Sequence, residues 1–92
     1  MLRFERLNES SWALLFLDPA CERYLGQPAQ DLCSLIDSPY ASLMEPQARL
    51  KLHDVVQAQL ATLGYYSIRY CLHTYGGPLD MLEIGELCQQ YG

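Results

Sequence analysis

Basic residues are scarce in this chain. Six Lys and Arg stand against eleven Asp and Glu, giving a net charge of −5. The six are scattered, and nucleic acid and anionic membrane surfaces both want clustered positive charge, so neither is an expected partner. No apolar run is long enough to span a bilayer and no stretch reads as a signal peptide, so the expected location is the cytoplasm. Cys21, Cys33, Cys71 and Cys88 form no CxxC pair, and no Cys/His cluster has zinc spacing. They read as reduced, mostly buried thiols that pack like small hydrophobes. A phosphate-cradling loop is also missing: Gly76-Gly77 lacks the following helix and the lysine that such a loop needs.

What is present is a sizeable apolar fraction, 50% of 92 residues. That supports a core, and the length allows only one domain over residues 1–92. The segment Trp12–Gly26, WALLFLDPACERYLG, carries the strongest local pattern. Trp12–Leu17 is too short for an amphipathic helix and too apolar for a loop, which predicts a buried strand. Asp18-Pro19 stops the strand and caps a short helix over Ala20–Leu25, and Gly26 suits the left-handed position after it.

Elsewhere the pattern predicts a first strand within Met1–Leu7, with a terminal helix nearly as good, and a turn over Asn8–Ser11. A short helix starts at Pro28 and runs to about Ile36, where Asp37-Ser38-Pro39 breaks it. Another helical turn follows over Tyr40–Met44. Glu45–Leu63 is the clearest helix, with Pro46 at its first position, an apolar stripe at Leu52, Val55, Val56, Leu60 and Leu63, and Gly64 as its stop. Tyr65–His73 alternates as a strand, with Tyr66, Ile68, Tyr70 and Leu72 on one face. A hairpin through Thr74–Pro78 leads to a returning strand, Leu79–Cys88, whose two faces both look partly covered, one by the domain core and the other by a partner. Gln89–Gly92 reads as the start of another turn. The order predicts an α+β fold: an antiparallel sheet with short helices and one longer helix on one face.

Three of these segments together resemble a PAS domain. They are LFLDPACERYLGQPAQDL (Leu15–Leu32), LMEPQARLKLHDVV (Leu43–Val56) and YYSIRYCLHTYGGPLDMLEIGE (Tyr65–Glu86). The chain departs from the family pattern at Glu45, where His is frequent, at Ala48 for Asp, at Cys71 for Arg, at Gly76 for Asp and at Met81 for Trp. The family's sheet has five strands with the last in the middle. Only four are placed here, so the resemblance implies a fifth that lies beyond the given chain, is missing from it, or is supplied by a neighbouring chain. It implies a sensory or interaction module, not an enzyme. Such a module would regulate an attached effector, such as a diguanylate cyclase, a cyclic-di-GMP phosphodiesterase or a two-component histidine kinase. A small-molecule ligand and a homodimer are the expected partners, with the cofactor unknown. A ligand-free dimerisation module is the alternative.

Candidate lining residues for a ligand pocket are Tyr24, Leu35, Ile36, Val56, Tyr70 and Leu72, joined by Leu15, Leu17, Leu25, Leu43 and Leu60. Tyr24 and Tyr70 would offer hydroxyls. Haem-binding relatives place a histidine on the long helix, which makes His53 a formal ligand. The stripe leaves it beside the apolar row, as a boundary histidine. Cys33 lacks the Asn-Cys-Arg-Phe-Leu-Gln context of flavin-linked light sensors. Neither histidine sits in a frame that would activate a nucleophile. Tyr65, Tyr66 and Tyr75 gather at the last hairpin and suit a protein interface.

Overall fold

The computed structural model describes residues 1–88 of the chain, and the expected turn at Gln89–Gly92 lies outside them. The fold is α+β. Strands β1 (Phe4–Arg6) and β2 (Leu14–Leu17) form one antiparallel pair, and β3 (Tyr65–Thr74) and β4 (Gly77–Glu86) form another. Between the pairs lie α1 (Glu22–Leu25), α2 (Ala29–Leu32) and the long α3 (Pro46–Leu63), with single 3₁₀ turns at Pro19–Cys21 and Ala41–Leu43. The four expected strands are present, but they form two hairpins instead of one continuous sheet.

The first hairpin is short and irregular for a reason visible in its burial. Leu14 and Leu17 are both buried, while Leu15 and Phe16 between them face out. Strict alternation would send one leucine to solvent. An extra residue on β2 resolves this: Glu5 faces Phe16 and Arg6 faces Leu14, with the register shifting between them. Trp12 lies outside the strand predicted for it. It closes the preceding turn at φ 58, its amide bonded to the Glu9 carbonyl at 3.1 Å, and its ring is fully buried.

Asp18 caps the next turn as expected, its carboxylate accepting from the Ala20 amide at 2.9 Å. Gly26 takes φ 73 and ends α1. The helix predicted to reach Ile36 ends at Leu32. Cys33 is already extended, and Ser34 accepts the Ile36 amide with its own hydroxyl at 3.2 Å, which offers the backbone a turn in place of another helical bond.

Helix α3 matches its predicted span, but its buried row differs. Val56 is fully buried, with Leu52 and Leu60 partly covered, whereas Val55 and Leu63 are exposed. Half-buried Arg49 and His53 lie on the covered side instead, following the three- and four-residue steps of one helical face. The helix packs on β3. Gln59 accepts the Ser67 amide at 2.8 Å and donates to its carbonyl at 3.3 Å, so a side chain occupies β3's backbone edge on the side away from β4.

In the second hairpin the faces separate cleanly. Tyr66, Ile68, Tyr70 and Leu72 point inward, opposite Gly85, Glu83, Met81 and Leu79 of β4. The outward residues of β4, notably Leu82 at 50% and Ile84 at 65% exposure, are open. Within the chain only the inward face of this strand is covered, because the helices lie on one side alone, and the face expected to meet a partner is open. The cysteines also differ from expectation: all four are free, but only Cys21 is buried.

Candidate functional site

The inward face of β4 would read as apolar but for one residue. Glu83 faces Ile68 in register and is 3% exposed. A buried carboxylate needs partners, and this one has three. Tyr70 donates its hydroxyl to Oε1 at 2.8 Å. Tyr66 donates to Oε2 at 2.5 Å, and Arg6 Nε donates to the same oxygen at 3.1 Å. The guanidinium also donates to the Tyr66 hydroxyl at 3.2 Å and lies over the Trp12 ring, 3.8 Å from its centroid. Tyr40 extends the chain, its hydroxyl 2.6 Å from that of Tyr70. Five side chains from β1, the loop before α3, β3 and β4 thus form one buried polar network.

Position in the fold explains how it assembles. Tyr66 and Tyr70 are four residues apart on one strand face and flank the cross-strand site of Glu83. Gly85 makes room for Tyr66: a Cβ there would meet the phenol oxygen at 2.5 Å. Arg6 reaches in from the other hairpin, just after the register shift.

Burial pushes the Tyr70 hydroxyl well above the ordinary phenol range, and the adjoining Tyr40 and Glu83 push it further. Burial likewise raises Tyr40, and burial together with the Glu83 carboxylate raises Tyr66. All three phenols therefore stay protonated and serve as donors at neutral pH.

Beside the network lies a cavity of about 140 Å³ between the two hairpins. Leu2 and Phe4 wall it on one side and Met81 and Leu82 on the other, with Leu17 and Leu25 adding apolar surface. Its polar lining is Tyr40, Tyr70 and Glu83. A larger depression of about 290 Å³ runs between Pro39–Leu43 and His73–Tyr75, but it is shallow, and no part of the buried network reaches it.

No family model matches this chain, and no curated protein does either. The functional reading therefore rests on the residues themselves.

Of the six predicted ligand residues, only Tyr70 lines the cavity. Val56 and Leu72 are fully buried in the core under α3. Tyr24, Leu35 and Ile36 are 57%, 61% and 83% exposed and stand away from the cavity. Tyr24 is on the solvent side of a one-turn helix whose inward residue is Leu25, and Leu35 and Ile36 follow the early end of α2. Among the wider set, Leu17 and Leu25 do line the cavity, Leu43 lines the shallow depression, and Leu15 faces out. His53 is half-buried, with Nδ1 covered and unpartnered, and lines neither space. No group of three metal-ligating side chains occurs among the described residues.

The sequence reading missed Tyr40, Glu83, Arg6 and Tyr66 as site residues. Hairpin register would have found two of them. Pairing Tyr66 with Gly85 and Tyr70 with Met81 leaves Glu83 as an acid on an apolar face between two tyrosines. Arg6 and Tyr40 had no such signal, because their approach depends on how the first hairpin and the loop fold back.

Proposed function

We propose that this chain is a sensory or interaction module of a cytoplasmic signal-transduction protein, acting on an attached effector or a second copy. Its reading as a PAS-like module rests on the sequence resemblance, as do the effector classes: diguanylate cyclase, cyclic-di-GMP phosphodiesterase or histidine kinase. The observation that supports a sensory role is the buried network bridging two otherwise separate hairpins at the wall of a cavity. A ligand seated there touches both hairpins at once. It favours whichever arrangement it fits better, and the population follows its differential affinity. The module would be regulatory rather than catalytic, because the polar groups of the cavity are tied up in structural bonds.

The outer face supports the alternative, a ligand-free dimerisation module. Tyr65, Leu82 and Ile84 on the second hairpin and Phe16 on the first are all exposed. A second copy of the chain would cover them.

Native mass spectrometry of the purified chain, with an absorption spectrum of the same sample, tests both. A retained small molecule supports sensing. An apo dimer that dissociates in Ile84→Glu supports assembly. A monomer with nothing bound, unchanged in oligomeric state when the bridge is cut by Arg6→Ala, counts against both.

A further inference from the structure

The direction of the protons in the network fixes what the cavity asks of a ligand. Paired with Arg6, Glu83 is a carboxylate and only accepts. Tyr70 has one proton and gives it to Glu83, so in the Tyr40–Tyr70 bond Tyr40 must be the donor. Its proton is then spent. Its oxygen becomes the outer end of the chain Tyr40, Tyr70, Glu83 and shows only lone pairs. A chain that ends on an anion polarises each link and makes that last oxygen a better acceptor. Tyr40 is 2% exposed and lines the cavity, so a partner for its oxygen has to sit there.

Size and charge narrow the class. The cavity measures about 140 Å³, and an engineered apolar cavity of about 150 Å³ takes benzene. Most of its lining is apolar. The Arg6 and Glu83 charges already answer each other at 3.1 Å, so a ligand with a full charge would be desolvated without a counterion.

We infer that this cavity binds a neutral, largely apolar molecule of about phenol size with one hydrogen-bond donor, which it gives to the Tyr40 oxygen. The inference rests on the sensory reading above and names the ligand chemistry of that same site. An acceptor-only ligand gains nothing there. To bond it, Tyr40 would have to turn its proton away from Tyr70.

The test is a titration of the 92-residue chain with phenol, toluene and benzoate, followed through backbone amide shifts. Phenol and toluene have nearly the same shape, and benzoate adds a negative charge. Phenol is expected to shift the amides of Leu2–Phe4 and Met81–Glu83 and to bind about tenfold tighter than toluene, the ratio expected of one hydrogen bond to a polarised acceptor. Benzoate should give no saturable shift at those residues. In Tyr40→Phe the phenol advantage should fall to about twofold or less. Toluene binding as tightly as phenol to the unaltered chain overturns the donor requirement while leaving a ligand-responsive cavity in place. Benzoate binding as well as phenol overturns the charge argument. Absence of cavity shifts from all three overturns the inference, and the oligomeric state then decides the module reading separately. Because phenol and toluene are compared on the unaltered chain, the result stands even if Tyr40→Phe fails to fold.

Discussion

At the scale of single residues, Glu83 is the side chain on which most depends. Its carboxylate is 1% exposed and holds three donors. Removing it strands a buried guanidinium and leaves two phenols short of an acceptor. Breaking one side of a buried ion pair costs about 3–5 kcal/mol, and Glu83→Ala should fall in that range in urea denaturation. Glu83→Gln keeps the shape but presents an amide N–H₂ to a site built of donors, so it should also destabilise the chain. The phenols make a pH prediction with a definite sign. Tyr40, Tyr66 and Tyr70 have folded values raised above the ordinary phenol value of about 10. Their contribution to stability is complete below that value, where both states are protonated. Above it the unfolded chain loses protons that the folded chain keeps, so stability falls as pH rises toward the raised folded values. Part of the phenolate absorbance should therefore appear only with alkaline unfolding, together with loss of the folded circular dichroism signal. Replacing all three by Phe should remove that late fraction. If every tyrosine ionises before the fold is lost, the buried network is misassigned.

Individual elements show how far sequence pattern carries. Where a short signal acts locally, it held: Asp18 caps its turn, Gly26 and Gly64 end helices at φ 73 and 79, and β3 keeps the alternation read from Tyr66 to Leu72. Where the outcome depends on a partner element, it did not. The stripe through Val55 and Leu63 is plausible on α3 alone, but the core meets the helix along Leu52, Val56 and Leu60, so the first two stay in water. Most of the residues expected to line a pocket lie away from the cavity for a related reason. Apolar residues were chosen for the pocket by type, whereas the cavity is set by the approach of two hairpins, which no local pattern encodes. Gly85 belongs to this scale. The glycine faces Tyr66 in register, and its backbone is not left-handed, so Ala is disfavoured by space alone. An added methyl would meet a ring pinned by Glu83 and Arg6. Overpacking of this kind costs about 1–3 kcal/mol, so Gly85→Ala should lower the denaturation midpoint. A neutral result would show that Tyr66 swings aside freely.

For the molecule as a whole, the question is what makes two hairpins one body. Their backbones form separate sheets, so the coupling must come through side chains and the core. Polar side-chain links from the first hairpin to the rest of the fold are few among the described residues. Arg6 of β1 reaches Glu83 and Tyr66, and Asn8 of the turn exchanges amide bonds with Gln57 of α3. The second link is exposed, where water competes and the net gain is small. Arg6 is buried, bonds both strands of the second hairpin and covers the Trp12 ring. Its loss should act unequally on the two sheets. The first hairpin has strands of three and four residues and draws its stability from docking, whereas the second has a ladder of ten residues on each strand. Arg6→Gln should therefore speed hydrogen exchange in Phe4–Arg6 and Leu14–Leu17 much more than in Tyr65–Thr74, as measured by mass spectrometry. Uniform acceleration across both sheets would mean that the chain opens as a single cooperative unit. In that case a ligand between the hairpins could stabilise the whole fold but could not shift one hairpin against the other. Selective loosening of β1 and β2 is what a module needs if filling the cavity is to change its outer face.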